Sequence, residues 1–304
     1  MASKLAQKVW VITGTSTGLG RELVSTVLSR GDKVIATARS LDKIKDLEES
    51  NPGRCRALQL DVTSEFSEIR EKAKEAIDMW GRADVLVNNA GFGLFSTVEE
   101  GGVDGLMRMY KTNVFGMVNV TNAFLPYMRD RRNGTIVVIG SRSGWRTHLP
   151  GNAYYSSSKA AVHAIADALR EEVKPFGIRV LNAMPGGLRT NSISNAFVLD
   201  SKPLLSPSHG SDVLYEVPEY TQLKEKLKAQ FDATIGNETG DVKKAACAIV
   251  DIVREEGVAE GREFTGSLFL GSDCHRDVTA KCQTTLNTLE EWIDVTRGVD
   301  IVEE

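Results

Sequence analysis

The sequence predicts an α/β fold, a parallel sheet covered on both faces by helices. Three observations carry this. Short β-branched apolar runs recur along the chain, amphipathic stretches separate them, and a glycine-rich turn joins the first run to the first amphipathic stretch. A strand that is apolar along its whole length has both faces buried, as in a parallel sheet between helical layers. The chain has 304 residues, 41% of them hydrophobic, which is enough for one large core. No linker, repeat or low-complexity segment divides it, so residues 1–304 read as a single domain.

Taken in order, Lys8–Gly14 (KVWVITG) is the first strand. Gly20–Gly31 follows as a helix, with Leu23, Val24, Val27 and Leu28 on one face and Gly31 as its stop. Lys33–Arg39 and Arg56–Val62 are the second and third strands, and a charged helix runs from about Glu65 to Trp80. Asp84–Gly91, Gly134–Ser141 and Gly177–Gly186 are the fourth to sixth strands, and Phe264–Gly271 the seventh. The basic cluster Arg129–Gly134 reads as favourable charge at a helix C-terminus with a glycine stop. Residues 190–240 differ from the rest. They carry Pro203, Pro207 and Pro218, many serines and scattered apolar residues. A connection of this length in a compact domain is usually functional, and we read it as a lid over a substrate pocket.

The turn Gly14–Gly20 holds Gly14, Gly18 and Gly20, with Thr15, Ser16 and Leu19 between them. A tight turn needs positions without a β-carbon. The backbone must also approach a pyrophosphate closely, and the new helix offers it unpaired N–H groups and a positive dipole end. About twenty residues on, an acid would bond the ribose hydroxyls of NAD, whereas an arginine accommodates the 2′-phosphate of NADP. The second strand ends ATARS: Thr37 and Ala38 stand where the acid would be, Arg39 comes next, and Asp32 is too early. The cofactor expected is NADP(H).

Tyr154 and Tyr155 are adjacent, and only Tyr155 stands four residues before Lys159. Residues i and i+4 share a helix face. A free phenol has a pKa of about 10, and a nearby ammonium lowers it. Tyr155 is therefore the expected general acid or base, and Tyr154 a packing or wall residue.

Net charge is 37 − 41 = −4. This gives no long-range attraction to nucleic acid or anionic membrane. No apolar run reaches membrane-spanning length and no secretory signal is visible, so a cytoplasmic location with reduced thiols is expected. The four cysteines form no C-x-x-C pair, and we expect no metal.

Together these residues resemble the short-chain dehydrogenase/reductase family. The matching pieces are T-G-x-x-x-G-x-G at Thr13–Gly20, LDVT at Leu60–Thr63, NNAG at Asn88–Gly91, NVFG at Asn113–Gly116, GSRSG at Gly140–Gly144, YSSSK at Tyr155–Lys159 and MPGGLRT at Met184–Thr190. LFLGSDC, at 268–274, is similar to the hydroxysteroid- and retinol-dehydrogenase-like branch. The resemblance implies a Rossmann-type doubly wound sheet of seven parallel strands. It also implies hydride transfer between a nicotinamide and a carbonyl or alcohol carbon. Tyr155 would be the proton donor, and Lys159 would hold the nicotinamide ribose and lower the tyrosine pKa. A serine would orient the substrate oxygen, and Asn113 would anchor a water leading to Lys159. Asp61 and Val62 would flank the adenine. Asn89, Ala90 and Gly91 would line the cofactor, and Pro185, Gly186 and Thr190 would border the nicotinamide. Homodimers or homotetramers through long helices such as Ala160–Val173 are implied as well.

One departure concerns the serine, which in the family stands thirteen residues before the tyrosine. That position is Arg142 here. Ser141 stands three before the loop glycine Gly144, as the pattern requires, and is preferred; Ser143 stays as the alternative. Beyond the strand ends, Phe92, Phe95, Trp145, Leu149 and Leu188 are the candidate substrate contacts. They suit a bulky, largely hydrophobic carbonyl or alcohol. The reading is an NADPH-dependent ketone or aldehyde reductase. The alternatives are a carrier-bound β-ketoacyl reductase and a non-catalytic NADP(H)-sensing scaffold.

Overall fold

A computed structural model describes residues 6–190, 197–199 and 217–301. Its centre is a seven-stranded parallel sheet. The strands are β1 (Val9–Ile12), β2 (Lys33–Ala38), β3 (Cys55–Gln59), β4 (Val85–Asn88), β6 (Gly134–Ile139), β7 (Ile178–Pro185) and β11 (Ser267–Leu270). Their spatial order is β3-β2-β1-β4-β6-β7-β11. All seven strands expected from the sequence are present, and every ladder between them is parallel.

Alternation along β1 divides the core in two. Val9 and Val11 face one layer, built on α3 (Phe66–Trp80), α5 (Met117–Arg131) and α6 (Ala153–Val173). Trp10 and Ile12 face the other, built on α1 (Gly18–Ser29) and α8 (Val242–Arg254). This is the two-residue period of a strand buried on both sides. On α1, Leu23, Val24, Val27 and Leu28 are buried as the spacing predicts, and they pack against α8. Below the sheet, Arg254 donates to both carboxylate oxygens of fully buried Asp32 at 2.6 Å. Trp10 Nε1 donates to the same carboxylate at 2.9 Å.

Strand order reverses at β1, which has β2 on one side and β4 on the other. In open α/β sheets the crevice at this switch point, beyond the carboxyl ends of the strands, is where ligands bind. Smaller elements gather at that end. They are β5 (Gly93–Phe95), α4 (Val98–Tyr110), β8 (Leu188–Arg189), β9 (Phe197–Leu199), α7 (Thr221–Asp232) and β10 (Gly240–Asp241). β5 pairs with β9 and β8 with β10. Two helices close the chain, α9 (Ser272–Glu291) and α10 (Ile293–Arg297), after the short α2 (Lys45–Glu49) near its start.

One expectation is corrected. α5 is stopped by Arg132, in the left-handed conformation at φ 48°, while Gly134 opens β6. Glycine is at that position because a β-carbon would meet Met128 Sδ at 2.8 Å.

Candidate active site

The loop after β1 is shaped by contacts that exclude side chains. Gly14 has φ +70°, and a β-carbon there would stand 2.8 Å from Ala90 Cα. At Gly20 it would stand 2.4 Å from both Asn89 Nδ2 and the Gly14 carbonyl. Asn89 holds the turn by donating to the carbonyls of Thr13 and Gly14 at 2.9 and 3.0 Å. The result is a cavity of about 870 Å³. Its walls are the turn (Gly14, Ser16, Gly18, Leu19, Gly20), the end of β2 (Arg39), Asp61 and Val62, and Asn89–Phe92. Most of the residues expected to bind the cofactor are among them, but Thr15, Tyr155, Lys159, Pro185, Gly186 and Thr190 are not on this wall. Thr15 is fully buried, and both its N–H and its hydroxyl donate to the Thr37 carbonyl, so it ties β1 to β2 beneath the turn. Lys43, Arg108 and Lys111 join Arg39 on the cavity wall, three further cations that the sequence reading missed.

At the other side of Gly91 stand the residues expected to transfer the proton. A β-carbon on Gly91 would lie 3.1 Å from Asn113 Oδ1 and 3.8 Å from Lys159 Nζ. Lys159 is buried, and its ammonium donates to the Ile139 carbonyl at the end of β6 at 2.7 Å. It lies 5.8 Å from the centre of the Tyr155 ring. Burial lowers its pKa to about 8. The Tyr155 hydroxyl is hydrogen-bonded to Ser141. Ser141 Oγ in turn accepts from the Ser143 N–H at 3.1 Å. The loop thus sets Ser141 on the tyrosine and turns Ser143 to a supporting backbone contact. The tyrosine's titration differs from expectation. Burial pushes its pKa above the ordinary phenol value, and the Ser141 hydrogen bond and the Arg142 charge only hold it back.

Asn113 sits in a π-helical turn, Lys111–Gly116. Its side chain clasps the Phe92 main chain, accepting from N–H at 3.1 Å and donating to the carbonyl at 2.9 Å. Nδ2 also reaches Ser158 Oγ at 3.1 Å. Wide turns of this kind are common at functional sites because they redirect one side chain. Tyr154, by contrast, is a packing residue. Its ring fills the space above Gly101 and Gly105. Its hydroxyl lies 2.9 and 2.8 Å from the carbonyls of Val98 and Gly102, one of which accepts its proton. Gly102, at φ 48°, breaks the helical path there.

His163 is a neighbour that the sequence reading passed over, one further turn along α6. Its Nε2 accepts from the Ser141 N–H at 3.2 Å. The ring is wedged between Gly140 and Gly144, where β-carbons would stand 2.6 and 2.5 Å from it. Burial, helped by the Lys159 charge and opposed by Asp167, lowers its pKa from 6.5 to about 4. The folded chain therefore holds His163 neutral while the unfolded chain protonates it below about pH 6.5. Stability from this residue is present above pH 6.5 and is lost as pH falls toward about 4, by up to about 3 kcal/mol. Urea unfolding across that window is expected to show the slope in the wild type and a flatter line in His163→Gln.

The substrate candidates separate. Phe92 lines the cavity, beneath the Arg108 guanidinium at 5.9 Å. Phe95 stacks on Phe231 of α7, ring centres 5.4 Å apart. Trp145 packs edge-on to Phe269 and donates to Met184 Sδ. Leu188 lies in β8 against Gly240, and Leu149 is partly buried in the loop before α6. Pro185 ends β7, and the Gly186 N–H donates to the Leu270 carbonyl; Thr190 follows β8. Of the expected lid, residues 191–196 and 200–216 lie outside the described residues. The described part reaches α4, with Lys224 and the Val217 N–H both on the Glu100 carboxylate, at 2.8 and 3.0 Å. No described helix is long and apolar enough to cross a membrane.

A doubly wound sheet with a glycine turn on one side of Gly91 and a Ser-Tyr-Lys group on the other defines a nicotinamide-dependent oxidoreductase site. The chain belongs to the short chain dehydrogenase family, which matches residues 8–197. It is 37% identical to an oxidoreductase of Botryotinia fuckeliana over 60% of this chain and 67% of that one. It is 36% identical to the 3-ketodihydrosphingosine reductase of Bacteroides thetaiotaomicron over 62% of this chain and 66% of that one. The chain thus spans about two thirds of the length of these curated relatives. A short-chain dehydrogenase from Streptomyces avermitilis, 33% identical, superposes with a TM-score of 0.82 over 97% of this chain and all of that one. At about 20% identity, a Burkholderia phymatum family member in complex with NAD shares the fold, with a TM-score of 0.73 over 99% of this chain and 100% of that one.

Proposed function

We propose that the chain reduces a ketone or aldehyde on a bulky, largely hydrophobic small molecule, using NADPH. The observation that carries this is the Ser141–Tyr155 hydrogen bond beside buried Lys159, one glycine away from a cavity walled by Arg39 and Lys43. The cavity suits the cofactor: its glycines leave room for a pyrophosphate, and its second-strand end offers cations where NAD would need an acid. The bound nicotinamide would supply the hydride. The rest falls to the chain. Tyr155 gives its phenolic proton to the carbonyl oxygen while the Ser141 hydroxyl holds that oxygen in line. Lys159 spends one of its three N–H donors on Ile139 and keeps two for the ribose and the tyrosine side. Asn113 fixes the Phe92 backbone that separates cavity and substrate.

The raised tyrosine pKa leaves the phenol protonated at neutral pH, the form that can give its proton to a carbonyl oxygen. The aromatic and aliphatic side chains around the site support an apolar substrate, as does the 3-ketodihydrosphingosine reductase among the relatives. The family's habit of assembly supports a homodimer or homotetramer, and the composition supports a cytoplasmic location. The direct test is a screen of hydrophobic ketones and aldehydes by the loss of NADPH absorbance, repeated with NADH. NADPH-dependent turnover of apolar ketones is the expected result. Turnover only with NADH, or none with any carbonyl compound, would remove the proposal.

A further inference from the structure

Arg142, the residue that displaces the serine from its usual spacing, has a place in the structure that the reaction described above does not use. Its Nη1 lies 2.7 Å from Asp273 Oδ2 and 3.0 Å from Asp277 Oδ2, in the first turns of α9. Asp273 Oδ2 also accepts from the Gly187 N–H at 2.8 Å. Asp273 packs so closely on Gly186 that a β-carbon there would stand 1.9 Å from Oδ1. The next residue, Cys274, is buried and its thiol donates to the Met184 carbonyl at 3.2 Å. One carboxylate therefore touches both loops of the site: the loop that carries Ser141, through Arg142, and the Pro185–Gly186–Gly187 loop expected to border the nicotinamide.

We infer that Arg142 and Asp273 form a strap by which the start of the C-terminal helix holds the serine loop and the glycine loop in register, making both of them positioning residues for proton and hydride transfer. This rests on the oxidoreductase reading of the site. Two charge-assisted contacts on one buried carboxylate fix orientation more tightly than a neutral loop contact can. Arg142 Nη1 and Asp273 are largely shielded from solvent, so salt screens the pair weakly. Transfer chemistry is sensitive to small displacements of reacting groups. Arg142 also bears on Tyr155 directly, as one of the charged groups that face it together with Lys159 on its own helix, Ser141 being the uncharged partner.

Hydrogen exchange on the full chain reads the strap without any substrate. Arg142→Gln is expected to speed exchange at the Gly186–Leu188 amides, and Asp273→Asn to speed it across Ser141–Arg146. The effect must pass from each loop to the other. Unchanged exchange at the distant loop overturns the inference. Turnover reads the positioning, with phenanthrenequinone as a flat apolar dicarbonyl probe and NADPH absorbance as the signal. Arg142→Gln is expected to lower kcat about tenfold with the KM for NADPH changed by less than about twofold. The alkaline fall of kcat should also move to higher pH, because a positive charge facing the phenol is gone. Arg142→Lys should restore most of the loss. A kcat loss matched by lost NADPH binding, or one that lysine leaves in place, counts against positioning. A wild-type chain that leaves NADPH untouched counts against the reductase reading instead, and the exchange result still decides the strap.

Discussion

Tyr155→Phe is expected to lose about a thousandfold or more in kcat, with NADPH affinity within about twofold of the wild type. Only the hydroxyl is removed, and the ring that fills the site remains. Among the described residues, no other acid is placed to do the work. Lys159 spends a donor on the Ile139 carbonyl, and Ser141 is bonded to the phenol it would have to replace. The adjacent tyrosine supplies the control. Tyr154→Phe loses a hydrogen bond to the Val98 and Gly102 carbonyls, costing on the order of 1–3 kcal/mol of stability, and should keep its turnover. Single-turnover absorbance with titrated NADPH fluorescence measures both. A Tyr155→Phe chain that still reduces ketones at the wild-type rate would remove Tyr155 from the chemistry.

Arg39→Asp is expected to weaken NADPH binding by about a hundredfold and to strengthen NADH binding. A hydrogen bond to a charged group is worth about 1.5–3 kcal/mol, and each 1.4 kcal/mol is about tenfold. The substitution also sets a carboxylate against the 2′-phosphate, where NAD would offer ribose hydroxyls. Arg39 is exposed on the cavity wall, so the effect should shrink as salt is added. Lys43 on the same wall should retain part of the phosphate affinity, and the double change Arg39→Asp, Lys43→Ala should lower it further, with Arg108 and Lys111 still lining the cavity. Dissociation constants for NADPH and NADH at two ionic strengths test this. Undiminished NADPH affinity in Arg39→Asp would overturn the cofactor assignment.

Both predictions start from features that local sequence carries. An apolar run bounded by turn residues has few options, so all seven strands of the sheet could be read from the chain, as could the glycine turn. The spacing of Tyr155 and Lys159 marked them as neighbours, because helix periodicity alone puts them on one face. The same arithmetic extends one turn further to His163, and that signal was there to be used. Other parts depend on contacts distant in sequence. Asn113 faces Phe92 only because the helix widens at Lys111–Gly116, and no propensity marks such a turn. Arg142 and Asp273 are 131 positions apart, and only the arrival of α9 beside β7 joins them. The direction of the Tyr155 shift was missed for a related reason. Spacing reveals a nearby ammonium but not how much water the fold removes.

The Asp32–Arg254 pair under the sheet bears on how far this protein can be dissected. Its two halves come from opposite ends of the fold, one before β2 and the other at the end of α8. A fragment stopping where the family match stops, at residue 197, would retain the glycine turn, the serine, the tyrosine and the lysine. It would also leave Asp32 and the underside of Trp10 without their cover. Stranding one member of such a pair costs about 3–5 kcal/mol, a large share of the margin that keeps a domain folded. The candidate site residues and the cover of the core therefore end at different places in the chain, and an excised core would carry Ser141, Tyr155 and Lys159 on a scaffold missing its keystone.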